Sequence, residues 1–130
     1  MVSFAQLTLE SRSPIYLQIV MYIKRGVIAG SIVDGDELPS RRMLSALLGV
    51  NPNTVQKAYH LLEDAQLISS RPGAGSCMSL DAQRIACIRE ELMREDARTL
   101  VLAMKQMGLE RAQAKELIDL YWDRISEETE

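Results

Sequence analysis

The sequence predicts a mostly α-helical protein with one small β-hairpin, organised as residues 1–80 followed by a two-helix hairpin over 81–130. Three observations lead there. Apolar residues recur at three- and four-residue spacing in several separate stretches, the period of a helix with one buried face. Between the third and fourth stretches lies "LISSRPGAGSCMSL", two short runs around a Gly-rich tip, the pattern of a strand pair. The charge then changes character: residues 1–80 carry seven Lys/Arg against six Asp/Glu, a balance of +1, and residues 81–130 carry eight against twelve, a balance of −4.

Each element has its own signals. The first helix is expected to open at Ser13, a candidate N-cap, with Pro14 at the first helical position. Ile15, Tyr16, Ile19, Ile23 and Val27 form its apolar stripe, Gly30 stops it, and "VDGDEL" follows as a turn. A short second helix opens at Ser40, with Met43, Leu44, Leu47 and Leu48 as its expected buried side and Gly49 as its end. The third begins at Asn51 and runs to about Ala65, with Val55, Ala58, Tyr59 and Leu62 on one face. After the hairpin, Asp81 can cap a long helix whose stripe passes through Ile85, Ile88, Leu92, Leu100, Met104 and Met107. Gly108 breaks it. A last helix carries Leu109, Ala114, Leu117, Ile118, Tyr121, Trp122 and Ile125, and the near-absence of a loop makes the pair a hairpin. The acidic tail "SEETE" is expected to fray.

Several function classes fall away on composition. At 130 residues and 47% hydrophobic, the chain can bury one modest core and a small appendage. It has no apolar run of about 18 residues, so no membrane partner is expected, and "MVSFAQLTLESRSP" lacks the basic start and apolar stretch of a secretory signal. The expected location is the cytoplasm. Cys77 and Cys87 are too few for a disulfide scaffold and lack metal-ligand spacing; they read as reduced thiols packed like small apolar residues, with no metal and no cofactor. One histidine, no phosphate-binding loop of the nucleotide kind and no cysteine beside a base leave nothing for catalysis. An enzyme is not expected.

What remains points to nucleic acid. Two helices joined by a short Gly-containing turn and followed by a hairpin describe a winged helix-turn-helix. Asn51 and Pro52 give the third helix a rigid start whose N–H groups point outward, with partial positive charge that suits a phosphate. Asn53, Gln56, Lys57 and His60 lie opposite the apolar stripe, with Thr54 at its margin. Asn and Gln amides offer the donor–acceptor pair that adenine presents in the major groove, and Lys can reach guanine or phosphate. Arg41, Arg42, Lys57 and Arg71 concentrate positive charge between residues 38 and 75. A polar face opposite an apolar stripe is also what any surface helix shows; the combination with the flanking arginines and the basic Gly-rich tip favours DNA. His60, the only histidine, could sense pH or touch DNA, but a solvated surface position is the simpler reading. The arginines at 84, 89, 94 and 98 alternate with carboxylates, as in a solvated, paired helix face.

From about Pro14 to Met78 the chain resembles the DNA-binding domain of the GntR family of bacterial transcription regulators. "PIYLQIVMYIKRGVIAGSI" resembles that family's first helix, "GDELPSRRMLSALLGVNPNTVQKAYHLLEDAQLI" its helix-turn-helix, and "SRPGAGSCM" its wing. The wording "VNPNTVQKAY", with a tail of only about fifty residues, resembles the YtrA subfamily. The resemblance implies roles. Arg42, with Arg41 beside it, would contact DNA from the second helix, and Ser40 would cap that helix and touch phosphate. Asn51, Asn53, Thr54, Gln56 and Lys57 would supply the recognition-helix contacts, and Arg71, Gly73 and Gly75 the wing tip at the minor groove. Three positions depart from the pattern. Arg41 stands where the family often has Glu or Val, Gln66 replaces a common Gly and so predicts a strained or reshaped turn into the wing, and Cys77 replaces an aromatic.

The apolar stripes of the last two helices exceed what a two-helix hairpin can hide, so a partner surface is expected. The reading is a two-fold homodimer with Met93, Leu100, Met104, Met107, Leu117, Tyr121 and Trp122 at the interface; packing onto the chain's own core is the alternative. Two linked half-sites predict an inverted-repeat operator. The resemblance further implies a repressor controlling transporter genes in response to a small-molecule effector. The competing reading is a winged-helix module that binds protein instead of DNA.

Overall fold

The computed structural model describes the backbone of residues 1–129 and the side chains of residues 1–125. Five helices and one antiparallel strand pair occur in the order α1 (Ile15–Ala29), α2 (Arg41–Leu48), α3 (Pro52–Asp64), β1 (Ile68–Arg71), β2 (Gly75–Met78), α4 (Ala82–Gln106) and α5 (Arg111–Thr129). The chain divides into two compact units, Met1–Glu90 and Glu91–Glu130.

The core of the first unit lies where α1 and α2 pack on α3 and the strand pair closes the end of α3. Ile19, Ile23, Leu44, Val55, Leu62, Leu67 and Met78 are fully buried there. The stripe expected on α3 is the buried one: Val55, Ala58, Tyr59 and Leu62. On α2 the expectation needs correction. Leu44 and Ser45 face inward, whereas Met43 is 47% and Leu47 67% exposed. Leu48, one turn beyond Leu44, is half-buried, so this eight-residue helix is covered only along the Leu44–Leu48 side. Ser45, a polar residue, takes an inward place because its hydroxyl donates to the Val50 carbonyl and so bridges the turn between α2 and α3.

The helix ends follow their chemistry. Gly30 and Gly49 adopt left-handed conformations at the C-caps of α1 and α2, and Ser40 accepts the Met43 N–H at 3.1 Å. Ser13 does not cap α1. Pro14 occupies the N-cap, and the Ser13 carbonyl instead accepts the Gln18 side-chain amide at 2.8 Å. Asp81 caps α4 through the Arg84 N–H at 2.8 Å, and Gly108 ends the α4 segment with φ +79°. Gln113 reaches back to the Glu110 N–H at 2.9 Å at the start of α5, half of a capping box.

The turn from α3 into β1 is a Schellman closure: Leu67 N–H donates to the Leu62 carbonyl and Gln66 N–H to the Glu63 carbonyl. Its left-handed position belongs to Gln66, at φ +61°, the one non-glycine residue with positive φ among the described residues. The strain expected there is present. The strands pair with Ile68 opposite Met78 and Arg71 opposite Gly75. Residues 36–38 add a short third edge through Met78 N–H to the Asp36 carbonyl and Leu38 N–H to the Ser76 carbonyl.

The N-terminal arm is a feature the sequence pattern did not reveal. Val2 and Phe4 are buried, the Phe4 and Tyr22 rings stack with centroids 5.3 Å apart, and Tyr22 Oη donates to the Ser3 carbonyl. The thiols also differ from expectation: Cys77 is half-buried and Cys87 exposed on α4, so neither packs as a core residue.

Within the second unit, Leu92 is buried, but Met93, Leu100, Val101, Leu102, Met107 and, on α5, Leu117, Ile118, Leu120, Tyr121, Trp122 and Ile125 stay exposed, while Ala114 is half-buried. The expected fraying of residues 126–130 concerns side chains, and at Glu130 backbone as well, that lie outside the described residues.

Candidate nucleic-acid interface

The recognition face is assembled around the start of α3. Asn51 caps this helix by accepting the Asn53 N–H at 2.8 Å, and Pro52 occupies the first helical position, where its missing N–H costs nothing. The cap leaves Asn51, Pro52, Asn53, Gln56 and Lys57 exposed and Thr54 half-buried. Behind this face, Tyr59 fixes the angle of α3 against α2. Its buried hydroxyl donates to the Pro39 carbonyl at 2.6 Å, immediately before the Ser40 cap. Burial holds the Tyr59 phenol well above its ordinary pKa. This hydrogen bond ties α3 to the segment that leads into α2, beside the apolar packing of Leu44 and Val55.

The wing meets α3 through a polar contact. Ser70 Oγ donates to the Glu63 carboxylate and lies 2.8 Å from Ser76 Oγ on the opposite strand. Gly73 and Gly75 at the tip both take φ +77°, which allows the tight turn. Between α3, the start of α2 and the wing runs an open cleft of about 550 Å³, bordered by Ser40, Arg41, Gln56, His60, Arg71 and Gly73.

Of the residues expected at the site, Ser40, Arg41, Gln56, Arg71, Gly73 and Gly75 therefore share one cleft. Arg42, Asn51, Asn53, Thr54 and Lys57 lie outside its lining: Arg42 is exposed on the first turn of α2, and the others occupy the first turns of α3. His60 borders the cleft and also lies 3.5 Å from Asp64 one turn on, both side chains exposed. Two contributions escaped sequence reasoning. Glu63 and Ser70 join helix to wing, and Tyr16, assigned to the apolar stripe of α1, lies under the Lys57 ammonium, 4.1 Å from its ring centroid. Both contacts are between elements, so no local spacing announces them; an aromatic at the solvent margin of the stripe was the available hint for Tyr16.

Among the described residues no cluster of His, Cys, Asp or Glu could hold a metal ion, and no helix is long and apolar enough to cross a membrane.

Comparison with known proteins places this geometry. Residues 15–77 match the family model for bacterial regulatory proteins, gntR family. The chain is 32% identical over 112 residues to YhcF of Bacillus subtilis (strain 168), an uncharacterised HTH-type transcriptional regulator, covering 86% of this chain and 93% of that protein. The chain belongs to the GntR family. It is accordingly a DNA-binding transcription regulator, from a family of regulators rather than enzymes. It is also 32% identical over 114 residues to the HTH-type transcriptional repressor YtrA of the same organism, covering 87% of this chain and 88% of that protein. Among solved structures, a GntR family transcriptional regulator from Listeria monocytogenes superposes with a TM-score of 0.76 at 30% identity, covering 85% of this chain and 97% of that one. The GntR match spans α1 to β2, the elements that carry the candidate interface.

Proposed function

We propose that this GntR regulator is a repressor that binds an inverted-repeat operator as a homodimer, with residues 1–80 reading DNA and residues 81–130 joining the protomers. The observation that carries the reading is the exposed polar surface around the start of α3. Ser40, Arg41, Gln56, Arg71, Gly73 and Gly75 border one cleft, with Arg42, Asn51, Asn53 and Lys57 exposed on the first turns of α2 and α3 and Thr54 half-buried. The start of α3 would enter the major groove with Asn53 and Gln56 toward base edges, while Arg42 and Lys57 meet phosphate or guanine. The glycines would let the wing backbone approach the minor groove with Arg71 beside it. Similarity to the YtrA repressor supports the sign of the regulation.

The dimer rests on exposure in the single chain: Met93 is 59%, Met107 68%, Tyr121 49% and Trp122 73% exposed, with Leu100 and Leu117 also open and Met104 half-buried. One winged helix covers too little DNA for tight specific binding, so two half-sites about one helical turn apart complete the site. A small-molecule effector acting on residues 81–130, and transporter genes as targets, complete the reading on family resemblance. The cytoplasm is where such a regulator would work.

The test is selection of duplexes from a random-sequence library by the native protein, followed by titration and footprinting. The expected result is an inverted repeat bound about a thousandfold tighter than its scrambled version. Affinity should fall with salt at a log–log slope of about −0.9 per phosphate contact. Equal, weak binding of all duplexes would count against the operator reading and favour the protein-binding alternative.

A further inference from the structure

We propose that Tyr16, on the first turn of α1, is a positioning residue of the DNA interface whose ring face holds the Lys57 ammonium in place without neutralising it. The inference rests on the reading of Lys57 as a DNA contact.

A lysine is an awkward tool for gripping DNA. Its four-carbon stem is rich in rotamer entropy, most of which is lost when the ammonium is fixed at a phosphate or base. An acidic neighbour could hold the stem in advance, but it would cancel the charge that DNA is meant to feel. The first turn of α1 contains no acidic residue. What faces Lys57 instead is an aromatic ring, with Nζ 4.1 Å from its centroid. The negative quadrupole of the ring face attracts the cation yet leaves its net charge intact. Lys57 remains exposed while this contact is made, so its ammonium is still open to a third partner.

The surrounding packing makes the ring a stable platform. α1 packs directly on α3, with Ile19 and Ile23 of α1 and Val55 and Ala58 of α3 buried in the shared core. Tyr16 itself is half-buried, one turn before Ile19, so the body of its ring is braced while one face stays at the surface. Lys57 follows Asn53 by one helical turn on the same side of α3. Holding its stem therefore orders the second row of the recognition face behind the first. The interface so extends beyond the helix-turn-helix and wing to the first helix of the domain.

The experiment compares native protein with Tyr16→Phe, Tyr16→Leu, Lys57→Ala and the Tyr16→Leu/Lys57→Ala double variant. Each is titrated into a duplex selected by the native protein, at several salt concentrations, with thermal unfolding of each variant as a control for folding. Tyr16→Phe keeps the ring and is expected to bind like native. Tyr16→Leu is expected to bind about two- to fivefold more weakly, the range of an exposed cation–π contact. Adding Tyr16→Leu to Lys57→Ala should cost nothing further, since both substitutions remove the same interaction. A DNA-free readout accompanies this: the Lys57 ε-methylene resonance should be shifted upfield by the ring in native protein and Tyr16→Phe, and not in Tyr16→Leu.

Native-like or tighter binding by Tyr16→Leu would overturn the proposal, the second result meaning that the ring withholds Lys57 from DNA. A full Tyr16→Leu penalty persisting in the Lys57→Ala background would overturn it too, by giving Tyr16 an effect of its own. If Lys57→Ala binds like native while selection still yields a specific site, Lys57 is no contact and the inference fails although the operator reading stands. If native protein selects no site at all, both fail together.

Discussion

At the scale of single residues, two side chains carry more of the architecture than their type suggests. Gln66 sits at φ +61°, where an L side chain crowds its own backbone. The turn it closes needs that conformation for the Leu67-to-Leu62 and Gln66-to-Glu63 hydrogen bonds. Gln66→Gly should therefore raise the unfolding free energy by about 1 kcal/mol, less the weak contact of its Oε1 with Arg84 at 3.4 Å. Urea titration reads this directly, and a loss of stability would mean that the side chain matters more than the strain. Tyr59 gives a pH signature. Burial raises its phenol above the ordinary value of 10.0, so at high pH the folded chain keeps a proton that the unfolded chain has lost. The resulting stabilisation is complete below about pH 10 and is lost progressively as pH rises above it. Tyr59→Phe should remove that alkaline dependence, and at neutral pH should cost about 1–2 kcal/mol by leaving the Pro39 carbonyl without its donor. An unchanged alkaline slope in the variant would assign the dependence to other groups.

At the scale of elements, the start of α3 has two tasks, and one substitution separates them. Asn51→Asp keeps a side-chain acceptor for the Asn53 N–H, and a negative charge there suits the helix dipole. The fold should hold or gain a few tenths of a kcal/mol. If Asn51 meets DNA phosphate as proposed, the same charge would be repelled, and operator affinity should fall by about tenfold. Equal affinity in the two proteins would place Asn51 away from the phosphates. The elements also show what a sequence can and cannot announce. The buried stripe of α3, the hairpin and the caps at Ser40, Asn51 and Asp81 were legible, because each depends on neighbours within a few positions. The exposure of Met43 and Leu47 was not, since helical spacing says which residues share a face but not how far the neighbouring helix covers it. The burial of Val2 and Phe4 was hidden for a related reason: their partner Tyr22 lies on a different element. Gln66 was legible as a departure from a familiar pattern, and the backbone bears the consequence at that residue. The surroundings of the candidate site residues could be read in part. The α3 cap and its polar face follow from helical geometry, whereas the Tyr16–Lys57 and Glu63–Ser70 contacts are made only by packing.

At the scale of the whole molecule, the proposed dimer makes the chain's one tryptophan an observable. Trp122 is 73% exposed in the single chain. Sedimentation of the native protein at micromolar concentration should give twice the 14.6 kDa chain mass, and Trp122→Glu should return it to 14.6 kDa. Operator affinity of that variant should drop by at least about a hundredfold, because each protomer then engages its half-site alone. In native protein, dilution should shift tryptophan emission to the red as the interface opens. A native monomer at these concentrations would remove the dimer from the reading while leaving the DNA-binding face untouched.

The left-handed Gln66 also bears on how much regulator a cell holds. About 1 kcal/mol of conformational strain multiplies the unfolded fraction of a marginally stable small domain by roughly five. Unfolded chains are what proteases degrade, so the turnover of the protein, and with it the share of operators occupied at a given rate of synthesis, is tied to this one backbone angle. A Gly there would yield a longer-lived protein and a higher occupancy of its DNA sites. A chain that keeps Gln stays easier to clear, and those sites empty sooner once synthesis stops.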